Sequence, residues 1–109
     1  MECGDTMESQ QQFQLLIQEL QLVSQQLATF KNQEREMEIT IEQVENQPAE
    51  LSLYRQTGSI LSEVGDRKSL LSELNETKGK LSEAISQLSD REVELREGYE
   101  KLAKEIEGQ

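Results

Sequence analysis

Two runs of apolar residues, spaced alternately three and four apart, leave this chain few ways to fold. In the first, Phe13, Leu20, Leu27, Glu34 and Ile41 take the a positions of a heptad, and Leu16, Val23, Phe30, Met37 and Val44 take the d positions. Nine of these ten are apolar. In the second, Leu71, Lys78, Ile85, Glu92, Tyr99 and Ile106 are a, and Leu74, Leu81, Leu88, Leu95 and Leu102 are d. Such a stripe covers one side of a helix, so each run needs another helix against it.

Stop signals predict where the two helices end. Asp5 with Glu8 three residues on reads as a capping box and opens the first near residue 6. Pro48, with no amide hydrogen to donate, closes it at about residue 47. Asp66 after Gly65 is a plausible N-cap for a second helix over 66–107, leaving 48–65 as an insert within a single domain over 1–109. The arms fold against each other in one antiparallel register. Val44 meets Leu71, Ile41 meets Leu74, Leu27 meets Leu88, Leu20 meets Leu95 and Phe13 meets Leu102, an a opposite a d in each layer. Glu34 and Lys78 fall in adjacent layers, close enough to attract across the seam and hold that register.

The insert reads "LSLYRQTGSILSEV" and switches from helical to strand character. A hairpin turning at Thr57 and Gly58 pairs Gln56 with Ser59, Tyr54 with Leu61, Leu53 with Ser62 and Leu51 with Val64, and Gly58 supplies the positive φ of the turn. Leu51, Leu53, Ile60 and Val64 then share one face, and Tyr54 and Leu61 the other. A lone two-stranded hairpin is marginal in water, and this one is apolar on both faces with two open edges. The expected fold is mostly α, a long antiparallel two-helix coiled coil with a β-hairpin inserted between the helices, the hairpin joining an oligomeric β-barrel.

Composition narrows the function. The chain has 109 residues, a formal charge of −11, no His and one Cys, Cys3. No Cys/His metal set and no histidine-dependent catalytic relay can be built from it, no cofactor site is expected, and an enzyme is the least supported class. The negative charge disfavours nucleic acid and anionic lipid as partners. A single Cys suits a cytoplasmic protein, and no signal peptide or membrane-spanning run is expected.

The two arms flanking "LYRQTGSIL", with its aromatic-basic-x-x-Gly pattern at Tyr54, Arg55 and Gly58, resemble a β-class prefoldin subunit over residues 8–107. Within that class, "QLVSQQLATFKNQE" and "EITIEQVENQPAE" are similar to the eukaryotic subunit 1 branch. The resemblance implies an ATP-independent chaperone subunit in a hetero-hexamer of α- and β-class prefoldin subunits. Such an assembly holds non-native proteins, actin and tubulin among them, and delivers them to a cytosolic group II chaperonin. Leu51, Leu53, Tyr54, Gly58, Ile60, Leu61 and Val64 would then be the assembly hairpin. Leu15, Ile17, Leu22 and Val93 are apolar residues outside the seam near the far end of the arms. With the seam residues Phe13, Leu16, Tyr99, Leu102 and Ile106 they form a candidate client-binding tip, exposed apolar surface being what unfolded chains require. A structural tether or scaffold coiled coil is the alternative, but it leaves the hairpin without a purpose.

Overall fold

Helix α1 runs Glu2–Asn46 and helix α2 runs Arg67–Glu107, with strands β1 (Tyr54–Thr57) and β2 (Ile60–Glu63) between them. The computed structural model describes residues 2–108, and side chains over 8–108. Residues 8–46 contain no Gly or Pro and are rich in Gln, Glu and Leu, all good helix formers, so nothing in α1 interrupts it. The helix reaches back to Glu2, so Asp5 lies inside it and the expected start near residue 6 is displaced; the Asp5 side chain lies outside the described residues. At its other end α1 stops two residues before Pro48.

The N-cap expected at Asp66 is present. Its carboxylate accepts the Lys68 amide at 3.0 Å, the Ser69 amide at 3.4 Å and the Ser69 hydroxyl at 2.8 Å. The Ser69 hydroxyl, then its amide, hold the Asp66 carboxyl below the usual carboxylate range.

The chain divides into two compact units, Met1–Phe30 with Ala84–Gln109, and Lys31–Glu83. In the first, Val23, Leu27, Leu95 and Leu102 are buried; in the second, Ile41 and Val44. All six are seam positions of the two heptads. Fully burying a leucine-sized side chain contributes about 1.5–3 kcal/mol, and the half-buried apolar residues around these six add smaller shares. Contacts within each unit run antiparallel. In the first, Phe13 stacks on Tyr99 with ring centroids 4.8 Å apart, and Ser24 donates to Glu92 at 3.1 Å. In the second, Ser82 donates to Glu34 at 2.5 Å and Lys78 pairs with Glu38 at 3.6 Å.

The last two contacts replace the attraction expected between Glu34 and Lys78. An a residue of one helix lies beside an e residue of its antiparallel partner, so each charged tip turns outward to a group at the rim. Glu34 finds Ser82, and Lys78 finds Glu38.

The hairpin turns one residue later than expected. The pairs are Tyr54↔Glu63, Arg55↔Ser62, Gln56↔Leu61 and Thr57↔Ile60, extended by a bond from the Val64 amide to the Leu53 carbonyl at 2.8 Å. Tyr54 therefore faces Glu63 rather than Leu61, and Leu53 pairs with Val64 rather than Ser62. Gly58 and Ser59 are the central residues, and Gly58 alone has a positive φ, 62°. Glycine first with a positive φ is the type II′ arrangement, whose twist suits a two-residue hairpin. The expected turn would have put Thr57, a β-branched residue, at a central position of a primed turn. Moving each partner by two residues preserves which side chains share a face.

Candidate functional site

The exposed large apolar residues fall into two main sets. One lies in the insert, where Leu51, Tyr54, Ile60 and Leu61 are exposed while Leu53 and Val64 are half-buried. The other lies in the unit that holds the chain termini, where Leu15 is 64%, Leu22 54% and Val93 54% exposed. Ile39, on α1 in the second unit, is also exposed and was not anticipated.

In the terminal unit the sequence-derived tip residues sort by burial. Leu102 is buried and belongs to the core. Phe13, Leu16, Ile17 and Ile106 are half-buried, and Tyr99 is partly exposed against the ring of Phe13. Leu16 lies over Gly98, its methyl carbons 3.7 and 3.8 Å from where a Cβ would stand. Leu15 and Leu22 are seven residues apart and so share one stripe of α1. Glu19 stands between them on the same side of the helix and pairs with Arg91 of α2 at 2.5 Å. Val93 follows Arg91 by two residues, about 200° round the helix, and so turns away from that side. Leu22 and Val93, numerical partners in the sequence register, are therefore not brought together.

The Leu15/Leu22 stripe is nearly free of charge. From Ser9 to Phe30 the one ionisable residue is Glu19, and Arg91 answers it. The hydrogen bond to Glu19, more than the second one to Glu94, raises the Arg91 pKa above its ordinary value. Beside Leu22 a shallow groove of about 360 Å³ is lined by Leu22, Gln25, Gln26, Thr29 and Phe30. Its polar groups are amides and a hydroxyl, which can donate or accept without imposing a charge on what they meet.

Two arginines tie the insert to the helices. Arg55 donates to Glu73 at 2.7 Å, which raises the Arg55 pKa and lowers that of Glu73. Arg67, in the first turn of α2, donates to the Gln47 carbonyl and, at 3.1 Å, to the Pro48 carbonyl, closing the base of the insert. Sequence reasoning missed both. The Ser24 and Ser82 contacts could have been found by pairing e with a positions, but nothing local marks Arg67 as a clamp.

Among the described residues there is no group of His, Cys, Asp and Glu placed to hold a metal ion, and no helix long and apolar enough to cross a membrane.

The family model described as prefoldin subunit matches residues 7–109. The chain belongs to the prefoldin subunit family. Prefoldin is a non-enzymatic chaperone family, and its chains assemble with other prefoldin subunits. Among solved structures, the prefoldin beta subunit from Thermococcus strain KS-1 superposes with a TM-score of 0.86 at 22% identity, over 95% of this chain and 90% of that one. At that identity the likeness is one of fold: two long helices with an antiparallel hairpin between them. No curated protein matches the chain in sequence.

Proposed function

We propose that this chain is a β-class subunit of a hetero-hexameric prefoldin, an ATP-independent cytoplasmic chaperone. In this reading it holds non-native polypeptides, such as nascent actin and tubulin, and hands them to a group II chaperonin. The stretches similar to the eukaryotic subunit 1 branch make a eukaryotic-type assembly with α- and β-class partners the one we favour. The observation that carries the reading is the separation of exposed apolar side chains into a hairpin set and a terminal set. The hairpin set, Leu51, Tyr54, Ile60 and Leu61 with Leu53, Val64 and the turn at Gly58, serves subunit assembly. The terminal set serves client capture, with Leu15, Leu22 and Val93 accessible outright. Half-buried Phe13, Leu16, Ile17 and Ile106, with Tyr99, become available where the helix ends separate, and buried Leu102 follows only on wider opening. A tether would need neither set.

The test replaces Leu15, Leu22 and Val93 with Ser in the full chain, co-expressed with an α-class prefoldin subunit. Native mass spectrometry should still find the six-subunit particle, while suppression of aggregation of a denatured client falls several-fold. An unchanged suppression would remove these residues from the client site. A chain that never enters a larger particle would return the tether reading to the front.

A further inference from the structure

The two faces of the hairpin meet different surroundings. Side chains alternate along strands, so Tyr54, Gln56, Leu61 and Glu63 share one face, and Arg55, Thr57, Ile60 and Ser62 the other. The second face is turned toward the start of α2. Arg55 reaches Glu73 there, across a notch of about 260 Å³ whose lining includes Arg55, Ser62, Val64, Leu70 and Glu73, with Glu63 of the first face at its rim. Ile60, next to the turn, lies outside that notch. Tyr54 and Leu61 on the first face are 64% and 67% exposed and Ile60 on the second is 64%, so the faces differ not in exposure but in the Arg55–Glu73 pair that ties the second to α2.

The strand edges say what kind of partner suits the first face. With a two-residue turn, Thr57 and Ile60 exchange backbone hydrogen bonds, and so do Arg55 and Ser62. The amides and carbonyls of Tyr54 and Gln56 on one edge, and of Leu61 and Glu63 on the other, then point outward. A row of outward backbone groups beside exposed apolar side chains is matched by another strand with an apolar face of its own. The chain's family consists of subunits that assemble with one another, and the solved prefoldin beta subunit has the same fold, two helices with a hairpin between them.

We propose that the hairpin is sided. Its Tyr54/Leu61 face packs on the hairpin of a neighbouring prefoldin subunit, while its Arg55 face stays turned to its own α2. Arg55 and Glu73 are positioning residues that set this orientation. The inference rests on the assembly reading above and adds which face is used and what aims it.

The full chain is co-expressed with an α-class prefoldin subunit, and the assembled fraction is read by native mass spectrometry. Leu61→Ser should lower that fraction by roughly ten-fold or more, the order expected for taking a leucine out of an interface. Ile60→Ser should cost several-fold less. Arg55→Glu, which sets two carboxylates facing each other, should lower the fraction roughly three-fold. Combining it with Glu73→Arg should restore it, a rescue that general damage to the fold would not give. Circular dichroism of each variant checks that the helices persist. Ile60→Ser as harmful as Leu61→Ser, or no rescue by the charge swap, would overturn the sidedness and leave hairpin-driven assembly standing. If the parent chain forms no particle, or Leu61→Ser and Ile60→Ser both assemble normally, the assembly reading falls and the proposal with it.

Discussion

Leu95 and Leu15 lie in the same unit and differ in what surrounds them, Leu95 being 3% exposed and Leu15 64%. Leu95→Ala should therefore cost about 2–5 kcal/mol in urea unfolding followed by circular dichroism, because it removes buried methyl groups and leaves a cavity. Leu15→Ser should change stability by less than about 0.5 kcal/mol, since the side chain is already in water. A large loss at Leu15 would place it in a core or an interface. Asp66 gives a prediction in pH. Its folded pKa is lowered by the Ser69 hydroxyl and the capped amides, so its contribution is present above the unfolded pKa of about 3.9 and lost as pH falls through the folded value. Glu73, lowered by Arg55, behaves in the same sense. The melting temperature of Asp66→Ala should lie a few degrees below that of the parent at neutral pH (roughly 2–5 °C), and the gap should narrow as pH falls through the folded pKa of Asp66. A gap that persists at low pH would mean that the carboxylate is not the capping group.

At the scale of elements, the heptads were legible in full, and each buried residue is a seam position read from spacing alone. Periodicity reports where a helix has its apolar side, and a two-helix core asks for nothing more. The hairpin was legible in kind but turned one residue late. Register there depends on which central residue can take a positive φ, and Gly58 is used as the first rather than the second. Gly58→Ala should destabilise the hairpin by about 1 kcal/mol, because an alanine is strained at that φ. Gly79 has helical φ and open space where a Cβ would go, so Gly79→Ala should stabilise α2 by up to about 1 kcal/mol. Thermal melts of the two variants should move in opposite directions. If they move together, the turn assignment is wrong.

At the scale of the whole molecule, charge and apolar surface are distributed unequally. The formal net charge of −11 repels other polyanions. The Leu15/Leu22 stripe stands apart, with Glu19 as its single ionisable group and Arg91 across from it. Client capture through such a stripe should therefore depend weakly on ionic strength. Titrating an unfolded client at about 0.05 M and about 0.5 M salt should change the apparent affinity by less than roughly two-fold, although screening over that range is large. A fall of ten-fold or more would assign capture to the acidic surface instead.

The sequence by itself determined the helices, their antiparallel pairing and the presence of a hairpin. Each of these follows from local spacing and residue type, which act along the chain. Tertiary structure alone decided which apolar residues stay in water, which partners the seam charges take and how the insert is tied down. Leu15 and Leu16 are neighbours of one type, yet Leu16 lies over Gly98 of α2 while Leu15 is left exposed. Arg67 reaches the Gln47 and Pro48 carbonyls only because the chain returns to bring α2 beside the end of α1. Such contacts join residues far apart in sequence, so the spacing of neighbours along the chain carries no record of them.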